Sequence, residues 1–582
     1  MIALGRTPET GSLRAARFFL ALLALAVAAV RAEPRQPEPA SGFTARPAAA
    51  SAGAMAATAN AQATAAALEI VRLGGNAIDA AIAAQWVLNL VEPQSSGMGG
   101  GAFLLYWDTA RRRLSAWDGR ETAPAAETAD FARRPDGGVA SFDEMVASGR
   151  SVGTPGLVAM LEAAHRRHGR LPWSVLFEPA LRLAAQGFPV SPRLHALLRD
   201  DPHLRRDEAA RALYYDAAGS PRQPGELLAN PELAQTLRAI AGGGSAAFYR
   251  GALAQRIVDA VARRGGRLTL ADLRGYRPRV REALCGPYRQ WRVCGVPPPS
   301  SGAVGVLQLL GILERSGPPA DPESIDGAHR FAEAGRLVYA DRARYLADPG
   351  FLAVPTPELL APAYLDARAR LIEPARSLGV APPGDLPSGA GLSDGEAAEL
   401  PSTTHLSIVD REGNAVALTS SIENSFGSRI QVGGFLLNNQ LTDFSFVAER
   451  DGQPVANRLE PGKRPLSSMA PTLVFAGDGR LHAVLGSPGG SRIINYVTRT
   501  LVTVLDGWRD PAAALAMPHL GSRNGATEVE HGVPDALVAG LERRGHAVRR
   551  GDMTSGLHLV VREAGRWIGA ADPRREGLAA GE

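Results

Sequence analysis

Lysine is almost absent from this sequence. Of the 63 basic residues in a chain of 582, Lys463 is the single lysine and all others are arginines. The formal net charge of +4 falls to +1 without residues 1–32, which hold four arginines and one glutamate. Nucleic-acid binding needs clustered basic residues. A chain this close to neutrality gives no indication of a nucleic-acid partner.

Cysteine is nearly as scarce, because only Cys285 and Cys294 are present. Their spacing fits neither a metal site nor a redox motif. In an exported protein the two residues are able to bridge a hairpin, but two buried thiols explain the spacing equally well. The sequence therefore leaves their state open.

A membrane-spanning run is also missing. Residues 18–30 are apolar, but about thirteen residues fall short of the roughly twenty that a span needs. Three arginines precede this run, and residues 30–32 offer small side chains at a plausible cleavage point. We predict a signal peptide at residues 1–32 and an exported protein, periplasmic or secreted, without stable membrane insertion. An uncleaved anchor is the alternative.

Glycine and proline, by contrast, are abundant, with 64 and 43 residues. A hydrophobic content of 45% with 21% charge is that of an ordinary globular protein. Between residues 374 and 402, Pro, Gly, Ala, Ser and acidic residues dominate and no apolar period survives. This composition predicts a mobile linker that joins two parts of the protein.

Two features of the first part of the chain leave their roles open. The glycine run 99–101 lacks the Lys-Ser/Thr of a phosphate loop and the spacing of a dinucleotide fingerprint. It predicts instead close packing of backbone on backbone. Arg120 follows a predicted strand at 114–117 and a glycine. It is either a solvated or salt-bridged residue or a bidentate ligand for a carboxylate.

The linker ends at a hydroxyl-rich strand that is followed by a second strand, 415–422. Burial of the alternating apolar residues places Leu406 opposite Leu418, which leaves residues 411–413 as a three-residue loop ending in glycine. The same register places Ser421 opposite Thr403. A four-residue loop would instead pair Ser421 with Thr404.

A threonine hydroxyl is a poor nucleophile unless a base removes its proton. When threonine is the first residue of a chain, its own α-amine, with a pKa near 8, is such a base. Attack of the Thr403 hydroxyl on the Ser402 carbonyl would give an ester that water hydrolyses, and Thr403 would become an N-terminus. The plain alternative is a linker followed by an ordinary hairpin.

From residue 42 to residue 573 the chain resembles the γ-glutamyltranspeptidases, or glutathione hydrolases, which are N-terminal nucleophile hydrolases. The similar motifs are residues 403–410 (TTHLSIVD), 437–440 (LNNQ) with 443–445 (DFS), 464–469 (RPLSSM), 486–492 (GSPGGSR), 74–81 (GGNAIDAA) and the glycine run 99–101.

The resemblance implies an α/β (α+β) fold, a four-layer αββα sandwich, made as a proenzyme. A heavy part (33–402, with the linker 374–402) and a light, catalytic part (403–582) would remain together as a heterodimer folded as one unit. The expected substrate is glutathione or a similar γ-glutamyl amide, whose γ-glutamyl group passes through Thr403 to water or an amino acid. No metal or cofactor is expected.

The resemblance also implies a role for each matching site residue. Thr403 would be the nucleophile, released by cleavage after Ser402 and supported by Ser421. Arg120, Ser467 and Ser468 would bind the substrate α-carboxylate, and Gln440 and Asp443 would bind its α-ammonium. The backbone N–H groups of Gly489 and Gly490 would bind the oxyanion.

Two departures from the family pattern bear on the substrate. Glu423 stands where the family has an asparagine near the ammonium, and residues 446–463 lack the tyrosine of the usual lid. The second departure predicts a more open site in which hydrolysis exceeds transfer. Two alternatives follow: a cephalosporin (glutaryl) acylase-like amidohydrolase of the same fold, and a non-catalytic exported binding protein.

Overall fold

The structure is a computed structural model that describes residues 42–389, 391–395 and 402–582. The predicted signal peptide and residues 396–401, which directly precede the predicted cleavage point, lie outside the described residues. No helix in the described ranges is long and apolar enough to cross a membrane.

Two seven-stranded antiparallel sheets form the centre of the fold, and strands are numbered in chain order. Sheet I has the order β23 (Leu578–Gly581), β2 (Met55–Thr58), β10 (Ser402–Val409), β11 (Ala415–Glu423), β3 (Gly101–Asp108), β4 (Arg113–Asp118), β7 (Arg279–Arg281). Sheet II has the order β1 (Ala49–Ser51), β22 (Arg566–Ala571), β21 (His558–Glu563), β17 (Leu481–Gly486), β16 (Thr472–Phe475), β9 (Trp291–Gly295), β8 (Leu284–Tyr288).

Shorter strands form four small sheets at the periphery. These are β5 (Phe188–Pro189) with β6 (Leu227–Leu228), β12 (Gln431–Val432) with β13 (Phe435–Leu436), β14 (Glu449–Arg450) with β15 (Gln453–Pro454), and β18 (Leu520–Ser522) with β19 (Thr527–Glu530) and β20 (Val548–Gly551).

Eighteen α-helices lie within the described residues. They are α1 (Ala61–Arg72), α2 (Ala77–Val91), α3 (Phe142–Val146), α4 (Leu157–His168), α5 (Glu178–Gln186), α6 (Pro192–Asp200), α7 (Glu208–Tyr214), α8 (Pro231–Gly243), α9 (Ala246–Tyr249), α10 (Gly251–Arg263), α11 (Leu270–Gly275), α12 (Gly302–Arg315), α13 (Ile325–Tyr345), α14 (Thr356–Leu359), α15 (Pro362–Ala369), α16 (Ile493–Leu505), α17 (Pro511–Ala516) and α18 (Asp535–Arg543). Short 3₁₀ turns occupy Gly149–Ser151, Trp173–Phe177, Leu204–Arg206, Pro387–Gly389, Gln440–Asp443 and Gly490–Arg492.

Two large apolar clusters bind these elements into four layers. In one cluster, Leu406 and Ile408 of β10 pack with helices α1 and α2 on the outer face of sheet I. In the other, Val409 and Ala417 pack with sheet II, and helices α12, α13 and α16 cover the far face of that sheet. The order helix, sheet, sheet, helix is the predicted αββα sandwich.

The predicted register of the β10–β11 hairpin is confirmed. Leu406 pairs with Leu418 and Thr403 pairs with Ser421, and the turn glycine, Gly413, has a φ of +82°. The register was predicted from burial of the face that carries Leu406 and Ile408, and every residue of both strands is buried. The second face is covered because sheet II lies against it, and Ser407 there donates to the His558 carbonyl at 3.1 Å.

The predicted close backbone packing of the glycine run is also confirmed. A Cβ atom on Gly99 would lie 2.1 Å from the Leu436 carbonyl oxygen, and one on Gly100 would lie 2.1 Å from the Ser421 carbonyl oxygen. Because Gly99 and Gly100 have no side chains, their backbone can pack directly against the backbone of β11 and the backbone at the end of β13.

The described part of the predicted linker is anchored to the rest of the protein. The backbone N–H of Leu378 donates to Glu333 at 2.7 Å, and that of Gly384 donates to Asp341 at 2.8 Å. Ser393 N donates to the Pro454 carbonyl at 3.0 Å. The boundaries and the mobility of the linker stay predictions, and its described residues are hydrogen-bonded to the rest of the protein.

Cys285 and Cys294 form a disulfide between paired positions of β8 and β9. Of the two states that the sequence left open, the structure has the hairpin bridge.

Replacing Gly100 by Ala tests the close packing behind Ser421. The added methyl group has to displace the Ser421 carbonyl, so we expect a loss of about 1–3 kcal/mol in stability. The measurement is the thermal unfolding midpoint.

In the control Gly242→Ala, at the end of α8, a Cβ atom meets nothing within 4 Å. We expect the unfolding midpoint of Gly242→Ala to equal or exceed that of the wild type, because alanine favours the helical conformation more than glycine does. Equal midpoints for Gly100→Ala and the wild type would contradict the packing.

Candidate active site

Thr403 lies at the end of β10, between the two sheets, and its hydroxyl belongs to a short hydrogen-bonded chain. Thr403 Oγ1 donates to Ser421 Oγ at 3.1 Å, and Ser421 Oγ donates to the Ser402 carbonyl oxygen at 2.9 Å. The N–H of Glu423 donates to the same Ser421 oxygen at 2.9 Å. A hydroxyl has one donor and two acceptor positions, so these three bonds fix its orientation.

The bond between Ser402 and Thr403 is held by partners that the sequence did not reveal. Arg575 Nη1 donates to the Thr403 carbonyl oxygen at 3.0 Å, and Ser402 Oγ donates to the Gln94 carbonyl. Thr404 Oγ1 donates to Glu92 at 3.2 Å. Because these partners come from positions far away in sequence, no local pattern could have identified them.

Nine of the predicted site residues line one cavity. It is lined by Arg120, Thr403, Ser421, Glu423, Gln440, Asp443, Ser467, Ser468 and Gly490, together with Met469 and Ile493. Two predicted residues do not line it: Ser402 is buried behind Thr403, and Gly489 directly precedes Gly490. The cavity brings together segments that lie more than 300 residues apart.

Arg120 and Asp443 form a buried ion pair in this cavity. Gln440 Nε2 donates to the same Asp443 carboxylate at 2.9 Å. Arg120 also donates to the Leu466 carbonyl at 2.9 Å, beside the two predicted carboxylate-binding serines. A buried cation next to a buried carboxylate suits a ligand that carries both an anionic and a cationic group, since each charge finds its opposite.

The two serines present their hydroxyls at the wall of the cavity. Ser467 Oγ accepts from the Met469 N–H at 3.2 Å, and Ser468 Oγ accepts from Arg342 Nη2 at 3.0 Å. In both contacts the serine is the acceptor. Its own O–H hydrogen can therefore be donated to an anionic ligand.

Gly489 and Gly490 join β17 to α16. Their φ angles of +142° and +56° lie in the region that favours glycine. The 3₁₀ turn Gly490–Arg492 runs directly into α16, so the loop lies at a helix N-terminus, where N–H groups and the helix dipole favour negative charge. This arrangement can stabilise an oxyanion.

The segment 446–463 supports the cavity through hydrogen bonds, although it contains no tyrosine. Asn457 Nδ2 donates to the Asp443 carbonyl at 2.7 Å, and Asn457 Oδ1 accepts from the Leu466 N–H at 3.0 Å. Thr403 is 4% exposed. This burial is that of the uncleaved chain, and the expectation of a more open site stays a prediction.

Glu423 has an unusual backbone for a glutamate, with φ at +78°. Its carboxylate accepts a hydrogen bond from Asn439 Nδ2 and lies on the cavity wall. The cavity thus contains two acidic side chains, Glu423 and Asp443, and one basic side chain, Arg120.

Glu121 is a charged neighbour to which sequence reasoning gave no role. It is completely buried, and among the described residues neither carboxylate oxygen has a hydrogen-bond partner. Its Oε2 lies 3.7 Å from Arg120 Nη1. Burial raises the pKa of Glu121 from 4.5 to about 8, although Arg120 acts in the opposite direction. At neutral pH this side chain is protonated, so it adds no second negative charge beside Arg120.

One group of potential metal ligands exists among the described residues, away from this cavity. His329, Glu333 and His546 bring ligand atoms within 4.8 Å of one another. His329 Nδ1 and His546 Nε2 already share a hydrogen bond at 2.7 Å, and Glu333 accepts from Arg336 Nε at 2.8 Å. We assign no metal there, and the expectation that catalysis needs none stays a prediction.

Replacing Glu121 by Gln should change the pH dependence of stability. The folded-state pKa of about 8 lies above the unfolded value of 4.5, so the folded state binds the extra proton. Stability from this group is full below pH 4.5 and is lost as pH rises towards 8, by at most about 1.4 kcal/mol per pH unit. Glutamine mimics the protonated form, so the stability of the variant relative to the wild type should increase as the pH rises from 5 to 8.

The measurement is the thermal unfolding midpoint of both proteins at several pH values in that range. Glu144 is a control, because a hydrogen bond from the Ser141 backbone lowers its pKa and it stays ionised throughout. The Glu144→Gln curve should therefore run parallel to that of the wild type. A parallel curve for Glu121→Gln would show that Glu121 is already ionised.

Comparisons with known proteins show the family of the chain. A sequence model of the gamma-glutamyltranspeptidase family matches residues 63–582. A glutathione hydrolase proenzyme of Bacillus subtilis (strain 168) is 35% identical over 527 residues, which is 88% of this chain and 89% of the relative. An acylase ACY 1 proenzyme of Pseudomonas sp. (strain V22) is 35% identical over 545 residues, 91% of this chain and 94% of the relative.

Among solved structures, cephalosporin acylase from Bacillus halodurans superposes with a TM-score of 0.80 at 27% identity. The superposition covers 92% of this chain and 97% of the acylase. The sequence match extends over most of the chain, and the structural match extends over both sheets. The chain therefore belongs to the gamma-glutamyltranspeptidase family of enzymes.

Proposed function

We propose that this protein cleaves itself between Ser402 and Thr403 and then uses Thr403 to transfer the γ-glutamyl group of glutathione-like amides to water or to an amine. The observation that carries the proposal is the hydrogen-bonded chain from Thr403 through Ser421 to the Ser402 carbonyl. It joins the predicted nucleophile to the predicted scissile bond inside a cavity that carries both charges.

Self-cleavage needs only groups of this chain and one water. Thr403 Oγ1 attacks the Ser402 carbonyl carbon, the C–N bond breaks, and its nitrogen takes up the hydroxyl proton. The result is an ester of Ser402 on Thr403 with a free α-amine. Ser421, which donates to the Ser402 oxygen, stabilises the negative charge that develops there. Water then hydrolyses the ester and leaves a Ser402 carboxylate and a Thr403 hydroxyl.

In the mature enzyme the α-amine of Thr403 acts as the base for its own hydroxyl. The hydroxyl attacks the γ-amide carbon, the amine leaves with a proton, and the acyl group stays on Thr403 as an ester. The N–H groups of Gly489 and Gly490 are positioned at the helix N-terminus for the oxyanion. Water or an amine acceptor then releases the γ-glutamyl group.

The charges of the cavity favour a γ-glutamyl group over a glutaryl group. Arg120, Ser467 and Ser468 offer one anion site, which both groups can fill with a carboxylate. Glu423 and Asp443 add two negative charges, and only the γ-glutamyl group brings an ammonium to meet them. The similarity to two acylases supports glutaryl amides as the second candidate, but a glutaryl group adds a carboxylate and no ammonium to a cavity that already has two acidic side chains and one basic side chain.

The fold is compatible with a heavy part (33–402) and a light part (403–582) that remain together after cleavage. Strand β10 lies between β2 and β11, and β11 lies between β10 and β3. In sheet II, β16 pairs with β9 of the heavy part. We also propose export to the periplasm or medium, because the disulfide of β8 and β9 suits an oxidising compartment.

The maturation step can be tested on a denaturing gel with N-terminal sequencing of the smaller band. We expect two bands for the purified wild type, with a light chain that starts at Thr403. Thr403→Ala should give one full-length band. Ser421→Ala should slow the appearance of the light chain about 10–1,000-fold, because the Ser402 carbonyl loses its hydrogen-bond donor.

Ser421→Thr is the matched control, because it keeps the hydroxyl and should mature at a rate close to that of the wild type. A light chain that begins elsewhere would overturn the mechanism. A single wild-type band that Thr403→Ala leaves unchanged would favour a non-catalytic binding protein.

Donor preference distinguishes the two enzymatic candidates. We expect kcat/KM of the mature enzyme to be higher for a γ-glutamyl anilide than for the matching glutaryl anilide. Glu423→Gln should reduce that ratio about 10–100-fold, mainly through KM, since a hydrogen bond to a charged group contributes about 1.5–3 kcal/mol. Faster turnover of the glutaryl anilide by the wild type would establish the acylase instead.

A further inference from the structure

A second cavity lies near the C-terminal end of α16, on the side of sheet II that faces away from sheet I. Phe331 of α13, Leu313 of α12 and Val502 of α16 give it apolar walls, and the exposed Pro318 and Pro319 lie at its rim. It shares no lining residue with the Thr403 cavity. Helix α16 contributes to both, through Ile493 at its start and Val502 near its end.

Arg499 is the unusual residue of this second cavity. The residue is 4% exposed, yet Nε and Nη1 have no hydrogen-bond partner among the described residues. Its one hydrogen bond runs from Nη2 to the Pro322 carbonyl at 3.3 Å. A guanidinium has five N–H donors, so most of this group is buried without an acceptor. Such an arrangement is unfavourable unless an acceptor enters from outside.

The carboxylates near Arg499 are engaged elsewhere. Glu323 and Asp321 pair with Arg509, at 2.8 Å and 3.4 Å. Glu530 pairs with Arg574 at 2.6 Å. Burial lowers the pKa of Arg499 to about 10, which still leaves the side chain fully charged at neutral pH.

Two more arginines line the cavity. Arg330 Nη1 donates to the Pro318 carbonyl at 2.7 Å. Arg289 Nε has no hydrogen-bond partner among the described residues and lies 3.6 Å from Asp506. Asp506 is the single acidic lining residue, and it already accepts from the Tyr288 hydroxyl at 2.9 Å.

The residues that line this cavity thus carry more positive than negative charge. Arg289 also lies 3.8 Å from Glu314 outside the cavity, and Asp326, one helical turn before Arg330 on α13, pairs with Arg544. Three guanidinium groups therefore face one carboxylate within apolar walls.

We propose that this cavity is a binding site for a small organic anion, a carboxylate with an apolar or aromatic body. The carboxylate is attracted by the guanidinium charge of Arg499, which lines the cavity, and Arg330 and Arg289 add charge attraction at the mouth. The apolar body lies against Phe331, Leu313 and Val502. Because the two cavities are separate, this ligand binds without competing with the substrate at Thr403, and the site does not depend on the proposed function.

Calorimetric titration of the purified full-length protein in low-chloride buffer tests the site. The probe is phenylacetate, its neutral analogue phenylacetamide is the charge control, and inorganic phosphate tests charge without an apolar body. We expect saturable binding of phenylacetate with one site per protein, and at least tenfold weaker binding of the other two. No saturation by millimolar phenylacetate, or phosphate binding as tight as phenylacetate binding, would overturn the proposal.

The variant Arg499→Met separates a binding role from a structural one. It should weaken phenylacetate binding at least tenfold, while the ligand-free protein unfolds at the same or a higher temperature, because a buried and poorly paired charge is gone. Arg133→Met, at an exposed arginine that pairs with Asp130 outside the lining, should leave binding within about threefold. Unchanged binding in Arg499→Met, or binding that competes with a γ-glutamyl substrate, would contradict the site.

If Arg499→Met does not fold, Arg330→Met provides the second test, because Arg330 is only half-buried at the mouth. It should weaken phenylacetate binding about three- to tenfold in a folded protein. Full binding in that variant would also overturn the proposal.

Discussion

The register of the β10–β11 hairpin is the constraint on which the site depends. Thr403 reaches Ser421 only because the two residues are paired, and a slip of one residue would turn one hydroxyl to the opposite face of sheet I. The register is set away from the site, where Leu406 and Leu418 pack on the outer helices and Gly413 closes the turn. Burial of apolar side chains at one end of the hairpin thus positions the hydroxyls at the other end.

Local chemistry made this register predictable from the sequence. Period-two burial and a glycine that needs a positive φ are both properties of short segments, and they act on neighbouring residues. The residues predicted to line the Thr403 cavity came from the family resemblance. Arg120 and Asp443 lie 323 residues apart, so no local sequence pattern connects them. The same distance explains the omissions: Arg575 contacts Thr403 across 172 residues, and no role was foreseen for Glu121.

Composition and alternation carry no information about distant packing partners. The alternation of β10 assigns its residues to two faces, but it does not show that a second sheet covers one of them, because strand patterns cannot report what packs on them. The predicted linker has few apolar residues, yet its described backbone is fixed by carboxylates of α13, such as Glu333 and Asp341. A polar segment can be ordered by hydrogen bonds to distant side chains, and composition does not record those partners.

Several arginines of this lysine-poor chain have a structural use in the folded protein. Arginines are buried at the boundary between the predicted heavy and light parts, where a weakly hydrated, forked cation is able to join several acceptors. Arg336 of α13 donates to Thr527 at 2.8 Å, Arg342 donates to Ser468 at 3.0 Å, and Arg464 donates to Asp118 at 2.8 Å. An ammonium offers no such planar fork. These three buried arginines therefore join the predicted heavy and light parts through internal hydrogen bonds.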